Sequence, residues 1–158
     1  MKLKLIILII PLLLINCSVK KKNKIEKKEI VNNEKGNNES VRIYHKIEYH
    51  ENGNRSASYS YKVVNGNEIK HGTYVSYYKY GNIFRVTNYK NGFKDGNDLT
   101  FSREGFLSMN VNYKKGLYNG KYQTYCYRSK NIPQNEGTFK NDVKIGKWKE
   151  YNCQDEIL

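Results

Sequence analysis

The sequence predicts an all-β chain, an elongated antiparallel meander of repeated β-hairpins, and three observations carry that prediction. Glycines recur at Gly72, Gly96, Gly120 and Gly146, spaced by 24, 24 and 26 residues. The fifth residue after each is aromatic: Tyr77, Phe101, Tyr125 and Tyr151. The units also close alike, on Tyr89-Lys90-Asn91-Gly92, Tyr113-Lys114-Lys115-Gly116 and Phe139-Lys140-Asn141-Asp142. Self-similarity at such a period belongs to stacked arrays, in which each unit must lean on its neighbours to bury anything.

Residues 1–16 form a lysine-flanked apolar run, with Leu5 to Ile15 at its centre. The run is shorter than the ~20 apolar residues that a membrane-spanning helix requires, so it reads as a targeting segment. Leu14-Ile15-Asn16-Cys17 resembles the lipobox of a bacterial lipoprotein signal, with Asn16 standing where that family prefers Gly, Ala or Ser. The resemblance implies cleavage before Cys17, acylation of Cys17 and a place in the bacterial cell envelope, on the outer membrane or cell surface. Residues 17–40 are almost wholly Lys, Asn and Glu. Such a stretch buries too little apolar surface to offset its ordering entropy and is expected to be a disordered tether. Its Lys20-Lys21-Lys22 cluster suits either an anionic lipid surface or simple solvation.

The folded part is expected over residues 41–158. A degenerate first copy runs from Tyr49 to Gly53 and from Tyr61 to Gly66. In the next unit Tyr80-Gly81-Asn82 marks one turn and Lys90-Asn91-Gly92 the other, Asn-Gly being a strong hairpin signal because both residues accept positive φ. Leu107 to Tyr113 alternates apolar and polar, the pattern of a strand with one face covered. The preceding strand type is harder to place. Tyr74 and Tyr77 differ in parity, so either a bulge intervenes or aromatics line both faces. Pro133 falls in the two-residue insertion that lengthens the third unit, as expected of a longer loop. From Val41 to Leu158 the aromatic residues number 21 against 18 Ile, Leu and Val, so tyrosine must supply much of the packing.

Gly72-Thr73-Tyr74-Val75-Ser76-Tyr77 and Gly120-Lys121-Tyr122-Gln123-Thr124-Tyr125, followed by Tyr-x-Asn-Gly, resemble the MORN repeat in its longer bacterial, antitoxin-like variant, over about residues 44 to 151. Asp98 departs from the aromatic expected at its position. The resemblance implies a repeat sheet used for scaffolding, protein contact or lipid contact.

No motif points to catalysis or to a cofactor. His45, His50 and His71 lie in or beside the degenerate unit without a converging ligand set, and no metal site is expected. No nucleophile has a companion motif, and Asp95 and Asp98 sit where Asp serves a turn. The chain therefore reads as a non-enzyme. Cys126 and Cys153 stand on like strands of consecutive units, two strand spacings or ~9.5 Å apart. That exceeds the ~7 Å Cα limit of a disulfide, so both thiols are expected free as long as the last strand stays in the array.

Charge supplies the remaining clue, with 19 Lys and Arg against 11 Asp and Glu over residues 41–158. A basic aromatic surface suits nucleic acid, but export sets that partner aside. An acidic envelope polymer, anionic lipid or a protein is better placed. Two function classes follow. One is a membrane-anchored, non-catalytic binding scaffold with Tyr74, Tyr77, Tyr122, Tyr125 and Trp148 as contact candidates, the same residues also serving as packing rungs. The other is a toxin-neutralising or immunity protein. Open sheet edges also leave room for edge-to-edge association of copies.

Overall fold

The computed structural model describes residues 30–32, 41–127 and 132–153. The signal segment, Cys17 and most of the tether lie outside the described residues. Nine strands form one open, all-antiparallel meander: β2 (Val41–Tyr49), β3 (Arg55–Val64), β4 (Asn67–Tyr77), β5 (Ile83–Lys90), β6 (Phe93–Phe101), β7 (Leu107–Lys114), β8 (Leu117–Tyr125), β9 (Pro133–Lys140) and β10 (Val143–Glu150). Each pairs only with its sequence neighbours. A three-residue strand β1 (Ile30–Asn32), inside the segment expected to be disordered, pairs with the start of β2.

The turns explain the chemistry of the repeat ends. Asn65-Gly66, Asn91-Gly92, Lys115-Gly116 and Asn141-Asp142 all have positive φ at both residues, the two-residue turn whose twist matches that of paired strands. Three of these turns are also tied to the strand that precedes their hairpin. Gly92 N–H donates to Lys70 O, Gly116 N–H to Lys94 O and Asp142 N–H to Tyr118 O, at 2.8 to 3.0 Å. One long edge of the sheet is thus a row of turns, each of the three docked on the strand before its hairpin.

The recurring glycines mark wide bulges. Tyr59 faces Tyr74 while Tyr61 faces Lys70, so residues 71–73 stand opposite Ser60 alone. The same shift places residues 95–97 opposite Asn88 and residues 119–121 opposite Asn112. Gly120 has φ +109° and a Cβ there would lie 3.1 Å from Asn112 Cβ, which together exclude other side chains at low cost. The bulge has a second effect: residues four apart across it return to one face. Tyr74 with Lys70, Asp98 with Lys94, Tyr122 with Tyr118 and Trp148 with Lys144 are such pairs.

Strand alternation then resolves the Tyr74 and Tyr77 parity. Both expected devices are present, since bulges interrupt the strands and aromatics occupy both faces. Tyr74 belongs to a face of rings, while Tyr77 falls on the other face. That other face carries short polar pairs, His45 with Ser58, Thr73 with Asn88 and Asn97 with Asn112.

Two expectations are corrected. Cys126 and Cys153 form a disulfide with a Cα separation of 5.5 Å. The spacing argument assumed that both lie on strands, but β8 ends at Tyr125 and β10 at Glu150, so both cysteines stand beyond the paired region. Backbone bonds reach just past these ends, from Tyr151 N–H to Gln134 O and from Cys126 N–H to Ile132 O. Pro133, placed in a loop by its insertion, instead opens β9 opposite Tyr125. A first strand position tolerates proline because its missing N–H removes no interior ladder bond.

Candidate binding face

On the ring face the register aligns Tyr59, Tyr74, Thr87, Asp98, Val111, Tyr122 and Gly137 in one row across β3 to β9. A second row above it carries Tyr61, Lys70, Tyr89, Lys94, Tyr113, Tyr118, Phe139 and Lys144. Three lysines thus stand among the rings of this second row, Lys70 and Lys94 singly between rings and Lys144 at its end.

The rings form two blocks. In the first, Tyr44 stacks on Tyr61 at 5.4 Å, Tyr59 on Tyr74 at 5.3 Å, and Tyr74 meets Tyr89 edge-on at 6.0 Å. In the second, Tyr113 meets Tyr118 at 4.8 Å, Tyr118 stacks on Phe139 at 5.1 Å, and Trp148 closes the row against Phe139 at 5.0 Å and Tyr122 at 5.6 Å. Gly137 makes room for the indole, since a Cβ there would overlap the Trp148 ring. Each such pair adds about 0.5 to 1.5 kcal/mol beyond its burial.

Asp98 separates the blocks. It is fully buried and takes two hydrogen bonds from Arg85, Nε to Oδ1 and Nη2 to Oδ2, both at 2.6 Å. Lys94 Nζ adds a third at 2.9 Å and Thr87 Oγ1 a fourth at 3.0 Å. Burial alone would raise the Asp98 carboxyl, but the Arg85 and Lys94 hydrogen bonds and charges outweigh it and hold it below the ordinary range. Asp98 thus replaces a ring by a satisfied ion cluster. The sequence placed Asp95 and Asp98 in a turn, whereas both lie within β6.

The lysines rest on the rings. Lys70 Nζ lies 4.2 Å from the Tyr74 centroid, 5.2 Å from that of Tyr89 and 5.7 Å from that of Tyr59. Lys94 lies 4.6 Å over Tyr113 and Lys144 4.3 Å over Trp148, while Lys46 is 5.9 Å from Tyr59. An ammonium over a ring face is attracted by its quadrupole. The burial of Tyr59, with its hydrogen bond to Glu48, pushes that phenol up to about 12. The phenols of Tyr74, Tyr89, Tyr113 and Tyr122 are raised in the same direction, chiefly by burial, so the rings are neutral at physiological pH.

Of the contact candidates, Tyr74, Tyr122 and Trp148 come together on this face. Tyr77 and Tyr125 do not, and the Tyr125 hydroxyl donates instead to Gln123 Oε1 at 2.8 Å on the opposite side. Sequence reasoning missed the lysines, although the signal was available: Lys70, Lys94 and Lys144 each stand two residues before a recurring glycine. The histidines serve local bonds, His45 to Ser58, His50 to Tyr77 O and His71 to Asn91. Among the described residues no cluster of three His, Cys, Asp or Glu is placed to hold a metal ion, and no helix is long and apolar enough to cross a membrane. Comparison with family models, with curated proteins and with solved structures finds no match for this chain.

Proposed function

We propose that the chain is a membrane-anchored, non-catalytic binding scaffold that works through the ring-and-lysine face of its sheet. The observation that carries this reading is the placement of Lys70, Lys94 and Lys144 at one repeat position, each against a ring or a carboxylate on the same face. Aromatic residues with a polar tip are favoured at protein contacts because they bury large area at small entropic cost. The envelope location and the anchor at Cys17 rest on the lipobox resemblance, and the scaffolding role on the MORN-like spacing. Neutralisation of a toxic protein from the membrane is the narrower form of the same activity.

The test is capture by the tagged full chain in mild detergent from envelope extracts, washed at low and then high salt. One discrete protein retained at low salt supports a shaped contact surface, and a toxic identity for it selects the immunity role. Retention of polymer or lipid without a protein, or of nothing, overturns the scaffold reading. In the same preparation a Cys17→Ala chain is expected in the soluble fraction.

A further inference from the structure

Four lysines of the ring face, Lys46, Lys70, Lys94 and Lys144, lie over aromatic rings. Two of them also carry a carboxylate of this chain. Lys94 Nζ holds Asp98 Oδ2 at 2.9 Å and Lys46 Nζ holds Glu68 Oε2 at 3.0 Å. Lys70 and Lys144 have the same ring backing and, among the described residues, no carboxylate on the ammonium. The molecule thus displays both the empty and the filled form of one repeated element.

We propose that Lys70 and Lys144 each receive a carboxylate from a partner, and that the partner is an extended acidic polypeptide segment lying across the strands of the ring face. This deepens the scaffold reading and rests on it. Asp98 on Lys94 indicates the group that fits, a carboxylate taken end-on by a ring-backed ammonium. Lysine suits that task because its compact charge accepts a single oxygen without a fixed fork geometry. The rings between the two lysines give the segment an apolar floor on which its stems can rest. Lys70 on β4 and Lys144 on β10 are six strand spacings apart, about 29 Å at ~4.8 Å each. An extended peptide covers that span in about nine residues. Between them Arg85 and Lys94 are already paired with Asp98, so the middle of the segment meets cations whose charge is partly offset. The ligand this face selects is therefore one with acidic groups near both ends of a stretch of about nine residues.

The experiment is fluorescence anisotropy of labelled oligo-glutamate on the purified full chain. An oligomer of about twelve residues reaches both lysines, whereas one of about four reaches only one. Linking the two contacts is expected to make the longer oligomer bind at least about tenfold tighter. Lys70→Met/Lys144→Met should remove that advantage. Lys114→Met/Lys140→Met, which lowers net charge equally at exposed positions, should change affinity less than about twofold if position rather than total charge matters. Lys70→Arg/Lys144→Arg keeps charge and should keep binding, which separates loss of the contact from loss of the fold.

Equal weakening by both methionine pairs, absence of a length effect, or tight binding of polygalacturonate with none of oligo-glutamate would each overturn the proposal. If the envelope partner is still captured by the Lys70→Met/Lys144→Met chain, this proposal fails while the scaffold reading stands.

Discussion

Asp98 is the residue on which the ring face turns. Its unit has an acid where Tyr74, Tyr122 and Trp148 stand in the others, and the consequence is a buried carboxylate rather than a gap. Four hydrogen bonds and two cations satisfy it, which is the condition for tolerating such a group. Asp98→Asn should cost about 3 kcal/mol, the low end for breaking a buried pair, because Arg85 and Lys94 stay partly hydrated. Urea unfolding at neutral pH measures it. The pH dependence has a definite sign. A carboxylate whose folded value is lowered contributes its full stabilisation above the ordinary Asp range and loses it as pH falls through the folded value. The stability gap between the parent and Asp98→Asn should therefore narrow below about pH 4. From sequence Asp98 was legible as a departure from the repeat, but not as a buried ion cluster. Its partners Arg85 and Thr87 come from the neighbouring strand, and their distance is fixed by the bulge register.

At the scale of the element, the two-residue turns and the strand order were legible because they depend on local chemistry. Asn-Gly and Lys-Gly at the repeat ends require positive φ at both positions, and the structure has it. The wide bulges were legible only as an ambiguity of parity. Which side chains share a face is decided by how many residues oppose Ser60, Asn88 or Asn112 in the partner strand. Strand β10 illustrates the same limit. Its residues are exposed apart from Trp148, which lies across Gly137. Nothing in the spacing marked Gly137 as the seat of that ring, since its repeat counterparts are Thr87 and Val111. Gly137→Ala places a Cβ inside the indole and should cost about 2 kcal/mol by overpacking. Trp148 fluorescence and thermal unfolding report it together, the emission changing as the ring leaves Phe139 and Tyr122.

Over the whole molecule, a sheet whose strands touch only their neighbours has weak ends, and terminal units of such arrays need caps. The Cys126–Cys153 disulfide serves the C-terminal end, tying the chain past β10 back to the end of β8. Tyr151 reinforces it through its hydroxyl on Glu136 at 2.7 Å. The cross-link spans 27 residues, for which loop entropy gives about 3 to 4 kcal/mol. Reduction with dithiothreitol should lower the thermal midpoint, and hydrogen exchange should quicken in β9 and β10 well before β3 to β6. Equal quickening throughout would mean that the bridge is not an end cap. Sequence spacing missed this bridge because it assigned both cysteines to the regular part of the array.

Cross-linking shows which side of the sheet meets the partner. A photo-reactive residue is placed at Lys70 or Lys144 on the ring face, and in separate chains at Thr73, Asn97 or Lys121, exposed on the opposite face. After irradiation of intact envelopes, the same discrete adduct is expected from Lys70 and Lys144 and from none of the other three. Adducts from both faces alike, or only from Thr73, Asn97 and Lys121, would rule out the ring face as the contact surface.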